Sequence, residues 1–566
     1  MASQVAVEEP VPNVHEASPK RGRLRRQLYV TLPGCWGAVI LAALSFTPTL
    51  LPRSGVVQGL VCGVNAAIGY GLGVLLAWVW RAFADREARP AKPSAWRGLA
   101  MGGGLLLVVS FALGQYWQHQ IRDLMGVTEY NVALVVAMPV VTVVLFAILL
   151  LIGRGVRGVY RWVAGLLSRL VGPRAARATG WILVFVAVWL LVTGVLLDGL
   201  VSGMDAAFAV NNTAIKPGSV QPTSSLRSGG PGSLVSWDSL GREGRAFTGM
   251  GPSASQIEAV VHQPAQDAVR AYAGLDSAED TESRAALAVD DLERAGGFQR
   301  ANLLVVTTTG SGWVDPAMVD TFEYFGAGDS AAVAMQYSYL PSWLSYLVDQ
   351  KKAREAGRAL FDAVYDRWSK LPQDQRPKLY VAGESLGSFG GETAFSGEYD
   401  LRNRTAGTLF AGPPNFNVLF REFSDNRDPG SLEIQPVYKD GRTVRFAEDA
   451  TADIPPDNQA AWDGTRVLYM MHASDPIVWW SPSLILHMPD WVSEPPGKDV
   501  LEGTVWMPFV TFWQVTFDLP FATGVPQGHG HKYTGEYVDG WNATMRPTGL
   551  SSDDLDAIRT AISKDE

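Results

Sequence analysis

The sequence predicts two parts of different fold class. The first is an amino-terminal α-helical transmembrane domain, and the second is an α/β domain whose mostly parallel sheet carries helices on both faces. Repeated apolar stretches before residue 200 indicate the first, and strand-like runs that alternate with helix-like runs indicate the second. With 566 residues, 47% of them hydrophobic and 18% charged, the chain is too long for one domain and too apolar for a wholly soluble protein.

The amino-terminal part begins with a polar segment, 1–27, that predicts a disordered cytoplasmic tail. A transmembrane domain of about five helices is predicted over 28–200, because apolar stretches of nearly bilayer length recur there. The stretch at 98–117 is rich in Gly and polar at its end, and without it the number of crossings would be even. The five stretches are 30–50, 56–80, 98–117, 131–153 and 178–200.

Basic residues near the ends of these stretches predict the orientation. The tail and the second and fourth connections hold sixteen Lys and Arg residues, whereas the first and third connections hold only Arg53 and Arg122. This places the tail in the cytoplasm and, after an odd number of crossings, everything beyond residue 200 outside the plasma membrane. Both cysteines, Cys35 and Cys62, lie in predicted spans, so the exported part has no disulfide.

Residues 201–245 are rich in Gly, Ser and Pro and predict a linker, and 246–566 form the α/β domain. The net charge of −9 combines a basic membrane part with an acidic exterior part, which argues against nucleic acid as a partner. The sequence has no P-loop and no Cys/His cluster, so we expect no cofactor and no metal.

Strands and helices alternate through the second domain. An insertion at 413–462 carries several turn signals and is a candidate cap over the site. Strands are predicted near 302–307, 331–337, 378–382, 406–411, 466–472 and 508–518, and helices near 281–296, 346–370 and 535–544.

The strand near 378–382 runs directly into Gly-Glu-Ser-Leu-Gly at 383–387, the G-x-S-x-G pattern of a nucleophile elbow. Such an elbow needs a strand that ends abruptly, a strained turn that projects a hydroxyl, and small neighbours that let the turn pack. Ser385 is therefore the candidate nucleophile.

The acid and the base should follow Ser385 in that order. Asp475 stands at the end of the strand 466–472, in a turn fixed by Pro476. Three of the seven histidines follow it, and His487 comes too soon after Asp475 for a helix and a strand to intervene. In Gly-His-Gly-His at 528–531 we favour His531, because a helix start follows it, with His529 as the alternative base.

The oxyanion that forms during attack on an acyl group needs preorganised N–H donors. One is expected from the backbone of Leu386, directly after the nucleophile. The second is assigned to Gly310, in the small-residue loop 308–313 after the strand 302–307.

These motifs together resemble a family of bacterial membrane-anchored α/β-hydrolases with a multi-helix amino-terminal domain. The strings are TTTGSGW, QYSYLPSW, GESLG, HASDP and GHGHKY, and the likeness covers about 28–545. The resemblance implies an α/β-hydrolase fold joined to a membrane domain, and it implies little about substrate.

The function expected from these residues is a serine hydrolase that acts on an ester or thioester through an acyl-serine. An acyltransferase that uses the same triad, and a non-catalytic scaffold of an envelope complex, are the alternatives. A lipid or acylated envelope component is the expected substrate, and membrane lipids are the expected partners, because aromatic residues suit a membrane interface. Trp479, Trp480 and Trp313 are the candidate pocket or lid residues.

Overall fold

The computed structural model describes residues 30–87, 89–128, 132–454, 462 and 464–563. The predicted tail at 1–27 lies outside the described residues. The same holds for a few positions of the predicted insertion between 455 and 463.

Five apolar helices occupy the positions where the apolar stretches predict them. Within the described residues, the last four are long and apolar enough to cross a membrane, whereas the first has 13 residues. The helices are α1 Leu32–Leu44, α2 Gly55–Phe83, α3 Pro93–Leu124 with a π-helical turn at Leu99–Gly103, α4 Val132–Leu167 and α5 Pro173–Leu191.

The first helix ends early because Pro48 and Pro52 follow it, and proline disfavours a helical conformation in the residue before it. It still lies along α2, since Thr31 N donates to the Tyr70 hydroxyl (3.2 Å). Tyr70 is 15 residues from Gly55, a rise of about 23 Å along a helix. Close contact between α1 and α2 depends on glycine: a Cβ at Gly37 would lie 2.1 Å from the carbonyl oxygen of Gly69.

The predicted linker is an ordered connection that packs on the second domain. The predicted linker 201–245 contains most of α6 Asp198–Asn212, an irregular segment, and the first half of α7 Gly241–Gly249. Ser228 N donates to Arg270 O (3.0 Å), and Leu234 N donates to the buried carboxylate of Asp291 (2.8 Å). The small residues thus serve a close-packed path rather than a free tether.

The second domain is built on a seven-stranded sheet in which every pair of neighbours is parallel. The order is β1-β3-β2-β4-β5-β7-β6, so β4 is the central strand. The strands are β1 Val269–Ala273, β2 Asn302–Thr307, β3 Ser330–Met335, β4 Lys378–Glu384, β5 Gly407–Ala411, β6 Val444–Ala447 and β7 Arg466–Met470.

Helices cover both faces of this sheet, and the strands are almost wholly buried, as a parallel sheet requires. The helices are α8 Ala254–Val261, α9 Thr281–Arg294, α10 Pro316–Phe325, α11 Ser342–Val348, α12 Gln350–Trp368, α13 Leu386–Glu392, α14 Glu398–Arg404, α15 Val418–Asp425, α16 Ala450–Asp453, α17 Pro476–Trp479, α18 Asp490–Ser493, α19 Val510–Asp518, α20 Tyr537–Met545 and α21 Ser552–Ile562.

Two expectations about these elements were wrong. The apolar run at 508–518, predicted as the last strand, forms α19, and its buried residues Val510, Gln514 and Asp518 recur every four positions, which is one helix face. The insertion at 413–462 supplies the edge strand β6, and its described residues do not line the cavity that contains Ser385.

Candidate active site

Ser385 sits on a strained turn between the central strand and a helix. Its backbone has φ 55° and ψ −126°, a conformation that non-glycine residues rarely adopt. Ser385 N donates to Ala411 O of β5 (2.9 Å), which fixes the turn against the sheet. A Cβ at Gly387 would lie 2.2 Å from Thr307 O, so only glycine lets the turn pack against β2. This is the local geometry that the G-x-S-x-G pattern predicts.

Asp475 follows β7 and caps α17. Its Oδ1 accepts from Ile477 N (2.8 Å), and its Oδ2 accepts from the Tyr533 hydroxyl (2.8 Å) and lies 2.6 Å from His531 Nδ1. The side chain is fully buried. These contacts hold the carboxylate in one orientation toward the imidazole.

His531 stands on a loop that reaches this carboxylate, and its backbone N donates to Ala522 O (2.8 Å). Burial lowers the pKa of His531, but the charge of Asp475 and its hydrogen bond raise it by more, so that the net pKa lies above the ordinary value. Its Nε2 has no hydrogen-bond partner among the described residues, so Ser385 and His531 are not yet bonded in this structure. Catalytic hydrogen bonds often tighten only when substrate binds.

His529, the alternative base, points to a different carboxylate. Its Nδ1 lies 3.3 Å from Asp499 Oδ2, and Asp499 also accepts from the Ser474 hydroxyl. Of the two histidines in the motif, the one that contacts Asp475 is His531.

Ser385 and His531 line one cavity of about 490 Å³ together with Trp313. Leu386 begins α13 directly after Ser385, where helix N–H groups are free to bind an anion. Gly310 lies in the tight turn after β2, beside Leu340 O, and its neighbour Ser311 lines the cavity.

The structure places Trp479 and Trp480 elsewhere. Trp479 is buried in the core, where its indole N–H donates to Ala473 O (2.8 Å). Trp480 packs against Tyr346 and donates to the Thr516 hydroxyl (2.8 Å). Neither lines the cavity of Ser385. Among the three tryptophans, Trp313 is the one on the cavity wall.

Four further residues join the site without having been predicted. Tyr533 bonds Asp475, and Glu384, which precedes the nucleophile, lines the cavity and accepts from the Tyr537 hydroxyl. Burial raises the pKa of Glu384 to about 8, with the charge of Asp315 adding to it. His472 bonds Glu536 beneath the loop. The signal available was position: Glu384 lies inside the elbow motif, and Tyr533 and Glu536 follow His531.

Two family models match the chain. One, described as an alpha/beta-hydrolase family, matches residues 269–558, which is just over half of the chain, and its amino-terminal counterpart matches residues 46–252. The chain belongs to this alpha/beta-hydrolase family. Neither the curated proteins nor the solved structures gave a match. Family membership establishes the hydrolase-like fold together with the helical amino-terminal region.

Proposed function

We propose that this α/β-hydrolase is a membrane-anchored serine hydrolase that cleaves an ester or thioester through an acyl-serine intermediate. The observation that carries the proposal is the 2.6 Å contact between His531 and buried Asp475, on the wall of the same cavity as strained Ser385. A serine hydroxyl is a weak nucleophile at neutral pH, and an oriented imidazole is the base that activates it.

In this reaction His531 Nε2 takes the proton of the Ser385 hydroxyl as the oxygen attacks the acyl carbon. The tetrahedral oxyanion receives hydrogen bonds from backbone N–H groups, for which Leu386 and Gly310 remain our candidates. Collapse of the intermediate breaks the bond to the leaving group, which takes the proton from His531. Water then attacks the acyl-serine by the same route, and Asp475 stabilises the imidazolium in both steps.

Acyl transfer to another hydroxyl is the second candidate. A neighbouring cavity of about 570 Å³ shares Glu243, Trp313, Asp315 and Thr534 with the catalytic cavity, and it offers room for an acceptor. Product analysis with an added alcohol separates the two reactions: ester formation in preference to free acid favours transfer.

We propose a lipid or acylated envelope component as the substrate. The cavity wall at 519–523 continues directly from α19, and α19 contacts the connection between α1 and α2. Trp343, which lines the same cavity, and Phe521, in the adjoining turn Leu519–Phe521, are 39% and 51% exposed. Exposed aromatic side chains beside membrane helices suit the headgroup region of a bilayer.

The catalytic domain is proposed to lie outside the plasma membrane. Two membrane connections contact the catalytic domain. The connection 45–54 contacts it through the ion pair of Arg53, and the end of α3 contacts it through Ile121 and Met125, whose side chains belong to the main core of the domain. These connections carry only the two arginines, and the sixteen other basic residues lie near the tail and the remaining connections. Protease added to intact spheroplasts should remove a carboxy-terminal epitope. Protection of the epitope until the membrane is broken would reverse the orientation.

A fluorophosphonate probe tests the hydrolase itself. Membranes that contain the native chain should label covalently, and membranes with Ser385→Ala should not. Ser388→Ala is the matched control and should still label. Ser388 is a buried serine three residues later that does not line the cavity, and its hydroxyl donates to Ser385 O (2.7 Å). Labelling that persists in Ser385→Ala would mean another nucleophile, and a folded native chain that never labels would favour the scaffold alternative.

Chain-length preference tests the lipid proposal. The purified full chain is compared on short soluble esters and on long-chain esters in micelles, with Trp343→Ser and Phe521→Ser beside the native protein. We expect a preference for long chains that both variants reduce. Equal rates on short and long esters, unaffected by the variants, would favour a small soluble ester.

A further inference from the structure

The two arginines that break the charge pattern of the membrane connections have a structural use. Arg53 is 5% exposed, and it forms a two-pronged ion pair with Asp518 at the end of α19, with Nε–Oδ1 at 2.7 Å and Nη2–Oδ2 at 2.9 Å. Thr49 of the same connection donates to Asp518 Oδ2 (2.8 Å). Such a pair is geometrically specific, and removal of one partner leaves a buried charge without compensation.

The third membrane helix holds Arg53 from the other side. Arg53 N donates to Gln118 Oε1 (2.7 Å), and Arg122 Nη2 donates to Arg53 O (2.8 Å). Arg53 is therefore fixed by α3 at its backbone and by the catalytic domain at its side chain.

Asp518 in turn supports the loop that carries the candidate base. It is followed directly by the turn Leu519–Phe521, after which Ala522 O accepts from His531 N (2.8 Å). Leu51 packs near Gly530, since a Cβ there would lie 3.4 Å from Leu51 Cδ2. The path from α3 to His531 thus runs through direct contacts.

We propose that Arg53, braced by Gln118 and Arg122, is a positioning residue for His531, so that the membrane domain forms part of the active-site scaffold. This inference rests on the proposed function, because it assigns to Arg53 the placement of the base in that reaction. The membrane domain then sets the rate of the chemical step in addition to anchoring the chain.

The test uses the full chain in detergent with a short soluble ester, so that lipid access does not limit the rate. Arg53→Met should lower kcat about tenfold to a hundredfold, because misplacement of a catalytic group by about 1 Å has effects of that size, while KM stays nearly constant. Arg53→Lys should recover part of this loss. Arg161→Met, an exposed arginine of α4, is the matched control and should keep native kcat.

A pH profile separates positioning from simple destabilisation. The titratable groups that act on His531 are Asp475 and Glu384, which raise its pKa, and His472, which lowers it. A His531 displaced from Asp475 has a lower pKa, so the acid limb of kcat/KM should move to lower pH in Arg53→Met. A variant that only loses folded protein keeps the native limb.

Native kcat in folded Arg53→Met, or a lower kcat with an unmoved acid limb, would overturn the inference. If Arg53→Met does not fold, Leu51→Ala shortens a buried side chain near Gly530 without leaving a buried charge. It should shift kcat and the acid limb in the same directions by less. If neither kcat nor the acid limb changes in Leu51→Ala and in Arg53→Lys, the inference is also overturned. If the native chain shows no labelling that depends on Ser385, the proposed function itself is refuted instead.

Discussion

Two histidine–carboxylate pairs, each with a buried imidazole, contact Tyr533. His531 contacts Asp475 and meets the Tyr533 ring edge-on, whereas His472 contacts Glu536 (2.9 Å) and stacks on the same ring at 4.3 Å. The decisive difference is the second ring nitrogen. His472 Nδ1 is bonded to Gly530 O (2.8 Å), and His531 Nε2 has no partner among the described residues and lies beside the cavity.

The same pair of chemical groups can thus serve as a base or as a brace, depending on whether the second ring nitrogen is bonded. An imidazole with both nitrogens bonded has no site left for a substrate proton, so His472 holds the loop through Gly530. An imidazole with one free nitrogen retains that site. Tyr533 couples the two pairs, because its hydroxyl donates to Asp475 and accepts from His472 N (3.2 Å).

The largest expected effect follows from removal of His531, the proposed base. His531→Ala should lower kcat/KM by on the order of 10⁴ to 10⁶, since its free nitrogen is the proposed proton acceptor. His529→Ala is the matched control, and it should keep activity within a few-fold, because His529 contacts Asp499 instead. Steady-state kinetics on a short ester measures both. The reverse result would transfer the role of base to His529.

A second effect of similar size concerns the carboxylate that orients His531. Asp475→Asn should lower kcat by about 10⁴, because an amide favours the wrong imidazole tautomer. Folding should change little, since the asparagine oxygen can still accept from Ile477 N. Activity within tenfold of native would mean that His531 is oriented by another group.

The sequence predicted the parts of this site that depend on local pattern. The bounds of β2 agree with the predicted strand 302–307, and the elbow at Ser385 follows from the G-x-S-x-G spacing together with the strand that runs into it. Arg53 and Asp518 lie 465 residues apart, so no local signal pairs them. The helix α19 was missed for the same reason, because its buried face is defined by contact with the connection 45–54.

A smaller effect tests the brace. Burial lowers the pKa of His472, but the charge and hydrogen bond of Glu536 raise it by more, to about 9. A histidine whose pKa is raised on folding stabilises the fold fully below its unfolded value of about 6.5, and that stabilisation is lost as pH rises through 9. His472→Gln should therefore cost on the order of 3 kcal/mol of unfolding free energy at pH 6 and much less at pH 9.5.

Thermal unfolding of the full chain in detergent at several pH values measures this difference. The exposed His487 supplies the control His487→Gln, which should show no pH-dependent loss. A loss in His472→Gln that is independent of pH would mean that the imidazole acts through packing on Tyr533 rather than through its charge.

The smallest effect concerns Glu384, the carboxyl on the cavity wall directly before the nucleophile. With its pKa raised to about 8 by burial and by Asp315, this carboxyl is neutral at pH 7 and ionises above pH 8. A new negative charge on the cavity wall opposes the oxyanion, so native kcat/KM should fall about tenfold by pH 9.5. Glu384→Gln should keep near-native activity at pH 7 and lose this fall of kcat/KM at alkaline pH.

Tyr537→Phe removes a hydrogen bond that lowers the pKa of Glu384, so the alkaline limb of kcat/KM should move to higher pH. An unchanged limb in both variants would assign it to a different group and leave Glu384 a structural neighbour of the nucleophile.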